Sequence, residues 1–198
     1  MVDAGIGRLL ISSLHQGIGD VAPMRLDFYE NWLSPSGMRD GRLGLAPLGA
    51  VLSFLYREGP PTNDRIAQRA GMHAADWTVA ELSAFRRATI GRLPMWWRTR
   101  VAMSIGRKLV KTTVRESQMT SRMRRNAGSV EIRSALFDQL RDPATRPMRV
   151  FYAAALQRLF EHCGISAEVT VKADDGTSWT LELVIHGSNR GLPVSDMA

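Results

Sequence analysis

Residues 144 to 186, ATRPMRVFYAAALQRLFEHCGISAEVTVKADDGTSWTLELVIH, constrain the fold more than any other stretch of the chain. Tyr152, Ala155, Leu156, Leu159 and Cys163 recur at three- and four-residue spacing, and Phe151 and Ala154 widen that stripe until little of the helix is left for water. The spacing predicts a buried helix that stops at Gly164. Beyond it Ala167, Val169 and Val171 alternate with Ser166, Glu168, Thr170 and Lys172. Asp174, Asp175 and Gly176 then form a turn, since Asp and Gly tolerate the backbone angles of a tight hairpin. Trp179, Leu181, Leu183 and Ile185 alternate in turn with Thr180, Glu182 and His186. Period-two alternation gives antiparallel strands with one wet face. A lone two-stranded ribbon is marginal in water, so more strands and the preceding helix must cover its apolar side.

Those further strands are legible just upstream. SQMTSRMRR places Met119, Ser121 and Met123 on one face, and SVEIRSALF does the same with Val130, Ile132, Ser134 and Leu136, the two joined through Asn126, Ala127 and Gly128. The N-terminal half reads as helical. Ile6, Leu9, Leu10, Leu14 and Ile18 share one side of a first helix, and Pro23 opens a second in which Leu26, Tyr29 and Leu33 align. An apolar third helix runs from Leu48 to Tyr56 and breaks at Gly59, Pro60 and Pro61. Thr62 or Asn63 is positioned to cap the next helix, in which Gly71 is a weak point. A further helical stretch from Thr78 to Leu93 follows, and then a helix opening at Pro94 with Trp97, Val101, Ile105, Leu109 and Thr112 along one side. The resulting expectation is an α+β fold, a helical layer on a four-stranded antiparallel sheet with a strand-strand-helix-strand-strand C-terminal half. Residues 1–60 form a helical subregion, 61–187 the α+β domain, and 188–198 a tail without regular structure.

Charge is placed unevenly. Between Arg92 and Arg133 eleven basic residues meet two acidic ones, a net +9; the whole chain carries +7, so the remainder is −2. One side of the molecule should attract carboxylate-bearing ligands, an acidic membrane surface or nucleic acid. No nucleic-acid recognition motif accompanies it, which argues against the last. With 44% apolar residues the chain can bury a substantial core, and its single cysteine excludes an internal disulfide framework. Cys163 falls on the apolar helix face and reads as a core thiol. Asp3 ahead of Arg8, with no small-residue cleavage site, argues against a signal peptide. The longest uncharged run, Leu43 to Tyr56, is shorter than the roughly 20 residues a membrane-spanning helix needs. The expected location is cytoplasmic, with peripheral contact at the inner membrane allowed by the basic segment.

Catalytic signatures are missing from the sequence. The glycines of GIGRLL and GRLGLAPLG lack the strand-turn-helix context of a phosphate-binding loop, no nucleophile elbow occurs, and no two histidines are three or four residues apart. Three phrases, AGMHAADWTVA, IGRLPMWWRTRVAMSIGRKLVKTT and VFYAAALQRLFEHCGISAEVTVKADDGTSWTLELVI, resemble the 4-vinyl reductase domain family of bacteriochlorophyll biosynthesis and, more distantly, small subunits of the TRAPP trafficking complex. The resemblance covers about residues 65 to 186. It implies a compact, often dimeric domain with an apolar pocket for a hydrophobic small molecule, a tetrapyrrole intermediate in this family's case, acting in reduction or delivery. A scaffold that docks partner proteins is the alternative. On that reading Arg98, Arg100, Arg107 and Lys111 offer donors to propionate groups, and Met95, Trp96, Trp97 and Met103 pack on the macrocycle. His73 or His15 is the candidate axial ligand of a bound tetrapyrrole; no other cofactor is implied.

Overall fold

The computed structural model describes residues 5–30, 45–124, 126–134, 146–174 and 178–188. In chain order these form α1 (Arg8–Val21), a 3-10 turn (Pro23–Arg25), α2 (Leu26–Glu30), α3 (Leu45–Arg57), α4 (Pro60–Ala80), α5 (Ala84–Ile90), α6 (Met95–Thr113), β1 (Gln118–Arg124), β2 (Ala127–Arg133), α7 (Arg146–His162), β3 (Ile165–Asp174) and β4 (Ser178–Ser188). The expected positions Leu33, Leu136, Asp175 and Gly176, and the tail beyond Ser188, lie outside the described residues.

All four strands pair antiparallel in the order β1-β2-β4-β3. Register follows the alternation. Met119 lies opposite Ile132, which lies opposite Trp179, and Val130 pairs with Leu181. These side chains are buried on one face, together with Leu183 and Ile185. Val171 departs from the expected pattern and is 41% exposed. It sits at the register shift between Val171 and Ala173, where the edge strand β3 leaves the regular ladder.

α6 and α7 lie on the apolar sheet face, and α1 and α4 pack across them. Leu10, Leu14 and Ile18 of α1 enter the same apolar cluster as Phe151, Leu156 and Leu159 of α7. The segment before α1 is tied to the end of α6: Gly7 donates its N–H to Thr113 O at 2.8 Å, and Arg115 donates to Gly5 O at 2.9 Å. α7 stops as expected at Gly164, whose φ of 67° suits the left-handed residue that ends a helix. α4 begins earlier than its candidate caps suggest. Pro60 is its first residue, tolerated because the missing N–H has no partner in a first turn, and Asn63 is buried inside the helix instead of capping it.

Ion pairs clamp α4 to its neighbours. Asp20 of α1 holds His73 at 2.7 Å, and Asp76 accepts from Arg158 at 2.8 Å and from His162 on α7. Partial burial pushes the Asp76 carboxyl up, but the hydrogen bonds from His162 and Arg158 outweigh it and hold the group below its ordinary 3.8. A carboxylate depressed in the folded state contributes stability above its unfolded value and loses it as pH falls through the folded one. Below about pH 4 the wild-type melting temperature should therefore fall faster than that of Asp76→Asn. Among the described residues no helix is long and apolar enough to cross a membrane.

Candidate ligand-binding site

The basic helix α6 starts just after Pro94 and runs nineteen residues. Ile105 and Leu109 of the expected stripe are buried, but toward both ends the buried face is turned by about one residue. Arg98, Ala102, Gly106, Leu109 and Thr113 face inward, while Trp97 is 45% exposed and Thr112 faces solvent. The reason is closeness of approach. A Cβ on Gly106 would come within 2.8 Å of Leu156 on α7, so the smallest side chains, not the largest, mark where the helices touch.

Arg98 belongs to this contact. Its Nη1 donates to the carbonyls of Cys163 at 3.2 Å and Gly164 at 2.9 Å, just past the C-terminal end of α7. A guanidinium is favoured there, since carbonyls left over at a helix end carry partial negative charge. Arg98 is thus a structural clamp, 3% exposed, and is not free to receive a ligand. Arg98→Leu should lower stability by about 2 kcal/mol, because the carbonyls it serves stay buried without a comparable donor. Thermal unfolding checks this, and Arg98→Lys should recover part of the loss. Cys163, beside it, is buried as expected, and that burial pushes its thiol up to about 11, leaving it protonated at neutral pH.

The opposite side of α6 faces β1 across an open groove of about 590 Å³. Met95, Thr99, Met103 and Arg107 line it at successive four-residue steps, Trp96 and Arg100 join them, and Ser121 and Met123 close it from the strand. Met103 is buried at the floor. Arg107 Nη2 donates to Ser121 Oγ at 3.0 Å, bridging helix and strand. The Arg100 guanidinium lies 5.2 Å from the centre of the Trp96 ring, which itself sits 4.5 Å from Trp97. Gly128, opposite Met123 in the ladder, leaves room for the thioether; a Cβ there would meet Met123 Sδ at 2.3 Å.

Five of the expected ligand residues therefore come together: Met95, Trp96, Arg100, Met103 and Arg107. Trp97 and Lys111 lie on α6 outside the groove lining, and Arg98 points to the core. His73 on α4 is engaged by Asp20 and stacks on Trp77 at 5.7 Å, and His15 lies on α1; neither lines the groove. Thr99, Ser121 and Met123 complete the site. Thr99 was hidden by its polarity on a helix read for apolar spacing, whereas Ser121 and Met123 already stood on one face of the β1 alternation. Among the described residues no group of three or more His, Cys, Asp or Glu is placed to hold a metal ion.

An H-NOX protein from K. algicida superposes with a TM-score of 0.52 at 14% identity, covering 94% of this chain and 100% of that one. The chain has an H-NOX-like fold. A second H-NOX protein, designated Tt, gives 0.51 at 10% identity over 96% of this chain and 100% of its own. A TRAPP complex subunit 3 from Naegleria fowleri, solved covalently bound to palmitic acid, gives 0.48 at 11% identity over 74% of this chain and 95% of that one. No family model matches the chain, and no curated protein matches its sequence.

Proposed function

We propose that the groove between α6 and β1 binds a hydrophobic small molecule carrying carboxylates, with a tetrapyrrole as the ligand class. The observation that carries this is the composition of one cavity: methionine thioethers at the floor and walls, an indole at the mouth, and two guanidinium groups at the rim. Its volume lies within the roughly 300 to 1,000 Å³ of small-molecule sites. Met95, Met103 and Met123 are adaptable apolar surface, and Trp96 offers a flat one. Arg100 and Arg107 supply paired donors whose planar geometry matches carboxylates.

The likeness to 4-vinyl reductase proteins in the sequence phrases supports a bacteriochlorophyll precursor as the specific ligand, held for another enzyme. The K. algicida structure is described as an Fe(II) H-NOX protein. In this chain the groove lining offers thioethers, hydroxyls and two guanidinium groups, of which the guanidinium groups suit the carboxylates of a macrocycle and the thioethers its apolar surface. Titration with protoporphyrin IX under reducing, low-salt conditions tests the proposal. Saturable movement of the pigment absorption band, with quenching of tryptophan emission, is expected. Absence of saturation, or saturation untouched by Met103→Glu in a folded variant, overturns it.

A further inference from the structure

From Leu82 to Arg115 the chain has nine basic residues and no acidic one, and the groove uses only two of them. α5 presents a second, separate feature of this segment. Every residue from Ala84 to Thr89 is exposed; only Ile90 at its end and the partly buried Leu82 before it attach it to the core. Phe85 is 79% exposed at its start. One exposed aromatic is ordinary by itself and becomes informative together with other exposed aromatics and cations in the same segment.

The chain path through this helix runs between the two ends of α6. Lys108 holds Glu81 at 2.8 Å, and the chain then returns through α5 to Pro94, where α6 begins. Lys108 and Met95 are about 20 Å apart along the helix axis, so α5 with its flanks spans that distance antiparallel to α6. Phe85, Arg86 and Arg87 come soon after Glu81 and so fall toward the Lys108 end of that span, while Trp96 and Trp97, both about half exposed, stand at its Pro94 end. Arg86, Arg87 and Arg92 make no ion pair with any described residue.

We propose that α5 and the first turns of α6 dock on an anionic phospholipid surface, Phe85 and the paired tryptophans entering the interfacial layer and the arginines meeting acidic headgroups. A short helix lying flat with an aromatic edge and a basic flank matches the interface between acyl chains and headgroups, where aromatic and cationic side chains are both satisfied. An uninterrupted run of positive charge supplies the complementarity to an acidic bilayer. The proposal goes beyond the groove reading, and Phe85, Arg86 and Arg87 lie outside the groove lining.

Co-sedimentation of the full chain with phosphatidylcholine vesicles, and with phosphatidylcholine vesicles containing phosphatidylserine, tests it. Binding should require phosphatidylserine, weaken with salt and shift tryptophan emission to the blue. Arg86→Gln with Arg87→Gln should lower the partition on the order of tenfold or more. Phe85→Ser should weaken it severalfold, and both variants should keep the wild-type far-ultraviolet spectrum and protoporphyrin titration. Failure of that titration in the wild type alongside intact vesicle binding would count against the groove alone. Equal binding to both vesicle types, or unaltered binding by the arginine pair, overturns the membrane proposal. So does a stable dimer that Phe85→Ser makes monomeric, which assigns the face to a second copy, or a preference for an oligonucleotide lost with the same substitutions.

Discussion

Replacing Gly71 by alanine should lower stability by about 3 kcal/mol, although the same change in an isolated helix would raise it by about 1. Gly71 lies in the middle of α4 where it crosses α7, and a Cβ there would sit 2.2 Å from Phe151 O and 3.1 Å from Ala155 N. Both are backbone atoms within a helix, so no rotamer change relieves the clash. The helices must separate, and contacts such as Ala70, Ala74 and Ala155, all buried in the shared cluster, loosen with them. At about 2–4 °C per kcal/mol for a chain of this size, the melting temperature should drop by roughly 6–12 °C. Gly91→Ala is the internal control: its φ is −61° and nothing lies within 4 Å of the added carbon, so it should be neutral or slightly stabilising. If the two variants melt alike, the close crossing of α4 and α7 is wrong.

Gly71 also shows what pattern alone misses. On the sequence it reads as a weak point in a helix, because propensity counts only the chain's own backbone. Its reason is another helix eighty residues away. The rotated stripe of α6 has the same origin: hydrophobic spacing selects Trp97 and Val101, whereas packing selects Ala102 and Gly106, which have least side chain to bury. Arg98 reverses the usual rule more sharply, since its charge is satisfied by carbonyls at Cys163 and Gly164 that no local pattern places beside it. Alternation in the strands did carry over, because the period of two is intrinsic to a strand and only register remains to be set. Val171 escaped it where the register shifts. The groove lay between these cases. Its helical wall follows the four-residue repeat from Met95 to Arg107, while its pairing with Ser121 and Met123 depends on which strand α6 rests against.

The two arginines of that groove can be separated from its apolar surface by changing the ligand as well as the protein. Arg100→Ala with Arg107→Ala should weaken protoporphyrin IX on the order of 100-fold, about one power of ten for each exposed, charge-assisted contact. Both side chains are solvent-exposed in the protein, so most of the loss should vanish at high salt. The dimethyl ester of the same pigment has no carboxylates, and its affinity should change little. Arg107→Lys keeps the charge but loses the planar fork that reaches Ser121, and should fall between wild type and the alanine variant. Lys111→Ala, on the same helix but outside the groove lining, should leave both ligands unaffected. An equal loss for acid and ester would mean that the arginines act by shaping the cavity, and an equal loss for Lys111→Ala would mean that the pigment responds to the charge of the helix as a whole. Only a loss confined to the acid and to the two groove arginines locates the carboxylates at the rim, with Met103 and Trp96 left to hold the macrocycle.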